Sequence, residues 1–248
     1  MLAITAHASM REYATRVPST IDGACLWLLR LDVPTEHLAA YRDVLSADER
    51  ARADRFRFER DRRRFVVCRA LVRHLVGAAA GVACERVVFT YGPFGKPQLD
   101  LATDVRFNVS HSDDQALVAI TQGAEVGVDI ERMNALIDMT SLAGQVFSAL
   151  EEARFQEVAP ARRVTAFYAG WTRKEAYIKA RGDGLQRALD SFDVELAPGR
   201  PARLIDVRGE PGEAERWLMA SMDVVPGYAA ALCVERTAGI TRVTEKEQ

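Results

Sequence analysis

The sequence has few cysteines, no long apolar run and almost no net charge, and each shortage narrows the class of protein. Its four cysteines, Cys25, Cys68, Cys84 and Cys233, are far apart, with no C-x-x-C pair and no neighbouring histidine cluster. This spacing indicates buried, reduced thiols in a cytosolic protein rather than a disulfide framework or a zinc site.

Membrane and targeting signals are missing as well. No apolar stretch is long enough to span a bilayer, and the N-terminal segment has no basic region followed by an apolar one. A formal net charge of −2 gives no overall attraction to nucleic acid or to an anionic membrane. We therefore expect a cytoplasmic protein with no signal peptide, no membrane contact and no nucleic-acid partner.

Positive charge is concentrated in one segment, where ten arginines lie between Arg50 and Arg73. Such a run can mark a nucleic-acid surface. Acidic residues interleave the arginines from Asp48 to Asp61, however, and this pattern is typical of a solvated helix face with ion pairs. A few of these arginines remain candidates for binding a single phosphate.

The order of patterns along the chain predicts an internal repeat. With 248 residues, the chain suffices for one large domain or two of about 120 residues. Each half reads as a charged helix, a longer helix and a set of strands ending in a hairpin. We predict an α/β protein of the α+β type with two similar subdomains, residues 1–122 and 123–248. Residues 1–20 are expected to form a loose arm, and the tail from about residue 236 to be frayed.

The stretch EVGVDIE, residues 125–131, predicts a strand with two unlike faces. Val126, Val128 and Ile130 fall on one face, whereas Asp129 and Glu131 fall on the other beside Gly127. Two neighbouring carboxylates repel each other unless a positive group lies near them. A hard cation held by oxygen ligands and a salt-bridged edge strand both fit this stretch.

A second group of charged residues lies in GWTRKEAYIKARGDGL, residues 170–185. On a helix, Glu175 and Lys179 form an i,i+4 pair beside Trp171 and Ile178, which should anchor this side in the protein. A plain surface ion pair is one interpretation. Three carboxylates with a nearby ammonium also suit Mg²⁺ together with a phosphorylated ligand.

The stretch FNVSHS predicts a third group of polar residues, with Asn108, Ser110 and Ser112 on one strand face and His111 on the other or at the strand end. No G-x-S-x-G motif surrounds Ser110, which argues against a hydrolase triad. A hydroxyl or imidazole donating to phosphate fits better. Lys96 lies in the glycine-containing turn FGKP, which is either a simple loop or a place of close approach to a ligand.

In this order, FGKP, FNVSHS, GVDIE and WTRKEAYIKARGDGL resemble the Sfp-type 4′-phosphopantetheinyl transferases, in the variant with a W-x-x-K-E-A-x-x-K motif. The resemblance runs from about Leu45 to the strand SFDVEL. It implies the fold of that family and transfer of the 4′-phosphopantetheine arm of coenzyme A to a serine of an apo acyl or peptidyl carrier protein. Release of 3′,5′-ADP and dependence on Mg²⁺, with Mn²⁺ as a substitute, are implied too.

The resemblance also implies roles for individual residues. Asp129, Glu131 and Glu175 match the metal-binding acids, Lys179 matches the lysine on the coenzyme A phosphates, and Glu175 or a metal-bound water is the base. The remaining matches are to residues that bind coenzyme A: Arg52, Arg64, Lys96, Pro97, Ser110 and His111, with the histidine at the 3′-phosphate.

Two glutamates in the resembling region carry no assigned role. Glu151 matches an F-[ST]-x-x-E stretch of the family, and Glu49 occupies a position that is basic in some relatives. Because an internal repeat lets one chain form a complete site, we expect a monomer. Two alternatives stay open: another Mg²⁺-dependent enzyme such as a nucleotide phosphatase, and a non-enzymatic binder of carrier proteins or nucleic acid.

Overall fold

A computed structural model describes residues 12–136, 139–197, 199–241 and 243. The first half contains β1 (Ala14–Val17), β2 (Cys25–Arg30), α1 (Leu38–Val44), α2 (Ala47–Ala53), α3 (Glu59–Ala80), β3 (Phe89–Tyr91), β4 (Pro97–Leu99), β5 (Val105–Ser112) and β6 (Gln115–Gln122). The second half contains β7 (Val126–Arg132), α4 (Met139–Val146), α5 (Ala149–Gln156), α6 (Arg163–Arg181), β8 (Phe192–Val194), β9 (Leu204–Val207), β10 (Trp217–Met222) and β11 (Tyr228–Glu235).

The two halves repeat one plan, which confirms the predicted α/β fold with a pseudo-two-fold pair of subdomains. From β2 and from β7 onward, each half runs through one strand, three helices, a two-stranded pair and a closing hairpin. The sheet order β2-β6-β5 in the first half matches β7-β11-β10 in the second, and β1 extends the first sheet at its edge. All these pairs are antiparallel.

The short helices α2 and α5 begin in the same way. Ser46 and Ser148 are their N-caps, and each forms a capping box with the glutamate three residues later. The box at Ser148 also separates α4 from α5, because a capped helix start cannot lie inside another helix.

An apolar core shared by both halves holds them together. Leu26 and Leu117 of the first half form one cluster with Val128, Leu218 and Leu232 of the second, and all five are buried. Each half also has its own cluster, between α3 and its sheet and between α6 and its sheet. The two subdomains therefore pack as one body.

Two predictions about the chain ends are wrong where the structure describes them. Instead of belonging to a loose arm, residues 14–17 pair with β2 in the register Ala14↔Leu29. Instead of fraying, the tail returns to the protein, where Ile240 is buried and Val243 bridges to Ile21. The expectation for the tail failed because its partner Ile21 is remote in sequence, whereas residues 14–17 pair with the next strand along the chain. Residues 1–11, 242 and 244–248 lie outside the described residues, so the predictions for them are untested.

No helix in the described part of the chain combines the length and the apolar character that a bilayer crossing needs. All four cysteines are free thiols; Cys68, Cys84 and Cys233 are buried, and Cys25 is half-buried.

Candidate active site

The site begins at the contact between β7 and α6, where a glycine allows the backbones to meet. A Cβ at Gly127 would collide with the Ala176 carbonyl oxygen and the Ala180 amide nitrogen. Only glycine lets the strand lie this close to the helix. The face of β7 that carries Asp129 and Glu131 is thereby pressed against the helix that carries Glu175 and Lys179.

Strand β5 lies beside β7 and contacts it through side chains. The Asn108 Oδ1 atom accepts a hydrogen bond from the Val128 amide at 3.0 Å, and the Ser112 Oγ atom accepts one from the Arg132 amide at 3.1 Å. The polar face predicted for FNVSHS therefore joins the two halves of the protein. It also brings Ser110 to the carboxylates.

Asp129 is the centre of the polar cluster. Its side chain is 1% exposed, and its Oδ1 atom accepts hydrogen bonds from Ser110 Oγ at 2.7 Å and from Lys179 Nζ at 2.5 Å. Lys179 also donates to Ser110 Oγ at 2.9 Å. The second carboxylate oxygen, Oδ2, is buried and has no hydrogen-bond partner among the described residues. A buried acceptor without a donor is costly, so this oxygen is suited to a cation.

Glu131 and Glu175 lie beside Asp129 in a partly desolvated setting. Burial raises the pKa of Glu131, and the Asp129 carboxylate raises it further, while hydrogen bonds from Ser112 and Trp171 and the charge of Lys179 oppose the shift. Burial also raises the pKa of Glu175, with Lys179 opposing and Asp129 adding to the shift. Both carboxylates thus lack full compensation for their charge.

The three carboxylates suit a hard divalent cation, although they are not arranged as a preformed metal site. Within the described ranges, no group of three His, Cys, Asp or Glu side chains is arranged to hold a metal ion. The ammonium of Lys179 lies on Asp129 instead. Mg²⁺ commonly takes only one or two protein carboxylates and completes its shell with waters and substrate phosphates. The oxygen-only donor set and the unpartnered Asp129 Oδ2 match that behaviour, and metal binding remains a prediction.

A cavity of about 580 Å³ opens beside this cluster, on the first half of the protein. Its lining joins basic groups from α2, α3 and β5 to an aromatic wall. Besides Lys179, six residues are predicted to bind coenzyme A, and four of them lie in the cavity: Arg52, Arg64, Pro97 and His111. The aromatic residues are Phe56, Phe65 and Tyr91.

The arginines of the cavity differ in their availability to an anion. The Arg52 guanidinium stacks 5.2 Å from the Phe65 ring and has no ion pair among the residues described. Arg64 is held by Asp32 at 2.9 Å and by Asp113 at 2.6 Å, which raises the pKa of this arginine. An anionic ligand can therefore bind Arg52 directly, whereas it must compete with two carboxylates for Arg64.

His111 connects the cavity to the carboxylate cluster, because it follows Ser110 directly on β5. The surrounding walls desolvate its imidazole, and the charges of Lys179 and Arg52 act in the same direction, so its pKa is lowered despite the opposing charge of Asp129. A phosphate beside the ring would favour the protonated form.

The two other predicted coenzyme A residues lie elsewhere. Lys96 donates to Glu125 Oε2 at 2.6 Å and to the Ala180 carbonyl oxygen at 2.7 Å, so its ammonium ties the FGKP turn to the second half. Ser110 is buried against Asp129 rather than lining the cavity. The two neighbours of Lys96 in the turn, Gly95 and Pro97, border the cavity.

The two unassigned glutamates have matching positions in the core. Glu49 is 4% exposed and binds Arg73 of α3 at 2.8 Å, and Glu151 is 0% exposed and binds Lys174 of α6 at 2.7 Å. In each half, the capping-box glutamate thus pairs with a buried cation of the long helix. Lys174 is a buried residue that no motif role predicts, and the capping-box pattern is the signal in the sequence for its partner Glu151.

Comparison with known proteins identifies the family. The sequence model of the 4′-phosphopantetheinyl transferase superfamily matches residues 125–233. A second model, described as 4′-phosphopantetheinyl transferase, N-terminal, matches residues 33–123.

Whole relatives match across most of their length. The 4′-phosphopantetheinyl transferase HetI of Nostoc is 37% identical over 186 residues, covering 74% of this chain and 78% of that protein. The 4′-phosphopantetheinyl transferase psf-1 of Bacillus pumilus is 31% identical over 199 residues, covering 80% of this chain and 82% of that protein. Sfp of Bacillus subtilis is 26% identical over 193 residues, covering 78% and 83%.

The chain therefore belongs to the 4′-phosphopantetheinyl transferase superfamily. Within the superfamily it is of the Sfp type, with both halves in one chain, as its motifs predicted. It is an enzyme, and neither a non-enzymatic binder nor an unrelated nucleotide phosphatase accounts for matches over both halves.

Proposed function

We propose that this protein transfers the 4′-phosphopantetheine group of coenzyme A to a serine of an apo acyl or peptidyl carrier protein. The observation that carries the proposal is the placement of the cluster around Asp129 and Lys179 next to the basic, aromatic-walled cavity. An adenine ring and its phosphates suit the aromatic and cationic lining of that cavity. The pyrophosphate would then lie at the carboxylates, where β5 passes from His111 to Ser110.

Three acids would hold Mg²⁺ in the proposed site: Asp129, Glu131 and Glu175. When bound, the ion would draw negative charge from the pyrophosphate of coenzyme A. The unpartnered Oδ2 atom of Asp129 supports this assignment.

The residues of the chain supply the remaining chemistry. A serine hydroxyl is a weak nucleophile and must lose its proton as it attacks. Glu175 takes that proton, with the positive charge of Lys179 favouring its ionised form. The serine oxygen forms a bond to the β-phosphorus, and the bond from that phosphorus to the bridging oxygen breaks, releasing 3′,5′-ADP. Lys179 adds positive charge where negative charge develops.

The proposal includes the setting of the reaction. A division of the chain into residues 1–122 and 123–248 would place the coenzyme A cavity in the first subdomain and the acids in the second. One chain would then form a complete site as a monomer, and the free thiols suit the cytoplasm.

The test is a mass-shift assay of coenzyme A with a panel of apo carrier proteins and Mg²⁺. We expect transfer by the wild type and a loss of at least about 100-fold in Asp129→Asn and Glu175→Gln. Asp206→Asn is the matched control, because this aspartate is exposed on β9. If either site variant stays within a few-fold of this control, the assignment of the acids is wrong. Phosphate release without a carrier would contradict the proposed reaction.

A further inference from the structure

A second basic cleft lies on the second half of the protein, with no lining residue in common with the first cavity. It has a volume of about 470 Å³ and is formed by the end of α5, the connection from α5 to α6 and the connection between β8 and β9. Its charged lining residues are Arg154, Glu157, Arg162, Glu195, Arg200 and Arg203. Four guanidinium groups therefore face two carboxylates.

Two of the four positive charges have no carboxylate in the cleft to balance them. Glu195 is nearly buried and is already engaged, accepting a hydrogen bond from the Ala197 amide at 3.0 Å and pairing with Arg203 at 3.5 Å. The Arg154 Nη1 atom is buried without a hydrogen-bond partner in the described part of the chain. A guanidinium nitrogen that has lost solvent and gained no acceptor is unfavourable, and the half-buried Arg154 side chain still borders the cleft, so an anion beside this guanidinium would stabilise it.

The internal repeat independently relates this cleft to the first cavity. Arg52 follows the N-cap Ser46 by six residues, and Arg154 follows the N-cap Ser148 by six residues. In each half, the arginine lies near the end of the short helix and lines a pocket that also includes the region around the two-stranded pair. The cleft at Arg154 is thus the counterpart, in the second subdomain, of the cavity at Arg52.

The lining of the two pockets differs in a way that limits the ligand. The first cavity has the aromatic wall described above, whereas the second cleft has only small aliphatic groups between its charges: Val158, Ala159 and Ala197. No ring is present there to stack on a nucleotide base. The polar donors of this cleft are guanidinium groups, each of which can donate two parallel hydrogen bonds to phosphate oxygens.

We propose that the cleft around Arg154 is a second anion-binding site, which takes a phosphate or pyrophosphate group and not a nucleobase. Arg154 and Arg162 bind the anion, and Arg200 covers it from the β8–β9 connection. The site is separate from the coenzyme A cavity, and its existence does not depend on the proposed transferase reaction.

The test uses inorganic pyrophosphate and amide NMR of the full chain. In the wild type, we expect saturable shifts of the Ala159 and Ala197 amides. Arg154→Gln should raise the dissociation constant read from these two amides by at least about tenfold. Arg52→Gln should leave it within about twofold, because that arginine lines only the other cavity.

The control is Arg86→Gln, which removes one charge from an exposed arginine that lines neither pocket. A second variant, Arg200→Gln, keeps the test available if Arg154→Gln does not fold, and it should weaken binding by about threefold or more. The proposal is overturned if the two amides do not shift, if NaCl at equal ionic strength shifts them equally, or if the cleft variants bind pyrophosphate as well as Arg86→Gln does.

Discussion

Lys174→Met should be among the most destabilising single changes in this protein, although Lys174 neither lines the coenzyme A cavity nor belongs to the proposed metal site. Its ammonium is 0% exposed and pairs with Glu151 at 2.7 Å. It also donates to the carbonyl oxygens of Leu189 and Phe192, each at 2.7 Å, and lies 4.3 Å from the Phe192 ring. Methionine retains the length and volume of the side chain but none of the donors.

The expected cost follows from what the substitution leaves behind. Glu151 would keep its bonds from the Val194 amide at 2.7 Å and the Ser148 amide at 2.9 Å but lose its counter-ion. Removing one partner of a buried pair costs roughly 3–5 kcal/mol. For a chain of this size, each kcal/mol lowers the melting temperature by about 2–4 °C, so a fall of roughly 6–20 °C is expected.

Urea unfolding followed by circular dichroism measures this cost. Arg62→Met is the matched control, because Arg62 pairs with Glu59 in an exposed pair at 2.6 Å. Exposed pairs contribute about 1 kcal/mol or less. Burial lowers the pKa of Lys174 and raises the pKa of Glu151, whereas the charge of each partner opposes the shift of the other and favours the ion pair. If Lys174→Met lowers the free energy of unfolding no more than Arg62→Met does, Glu151 carries no uncompensated charge in the variant and the reasoning is wrong.

Three further predictions concern the site. Gly127→Ala should lower the free energy of unfolding by about 2 kcal/mol or more and reduce transfer, because the new methyl group meets the α6 backbone. Gly144→Ala is the control, because a methyl group has room there in α4. It should leave the free energy of unfolding unchanged or raise it in the same urea titration. Burial raises the pKa of Glu175, so its contribution to stability is present at low pH and is lost as pH rises through that pKa. Glu175→Gln should therefore raise the melting temperature of the metal-free protein at pH 7 while abolishing transfer; an unchanged or lower melting temperature would contradict this. The pKa of His111 is lowered, so the imidazole is neutral at pH 7, and coenzyme A binding should strengthen as pH falls toward 5 and the ring takes up a proton. His111→Gln should flatten this dependence in calorimetric titrations, and an unaltered pH profile would remove the histidine from the phosphate site.

Local signals in the sequence predicted much of the fold. The alternation in EVGVDIE gave the right face to Asp129 and Glu131, because a strand with one buried side fixes which side chains share a face. The capping box at Ser46 set the start of α2 through contacts within four residues. The sequence predicts such features because the residues that determine them lie close together along the chain.

The remaining features depend on partners far away in sequence. Nothing near Lys96 indicates that its ammonium binds Glu125 and the Ala180 carbonyl of another subdomain. Likewise, the paired acids Asp32 and Asp113 that hold Arg64 are separated from it by long stretches of chain. Pattern and propensity identify elements, but tertiary contacts decide which side chains are available to a ligand.

The apolar seam between the halves has a consequence for any attempt to cut the chain. A break in the short turn between β6 and β7 would leave Leu117 on one fragment and Val128 on the other, each with a large apolar surface exposed. Neither fragment alone should stay monomeric in water. The uncut turn keeps the complementary surfaces at a high effective concentration, which makes their docking an intramolecular event. The two halves thus repeat one plan, but each needs the other to cover its apolar face.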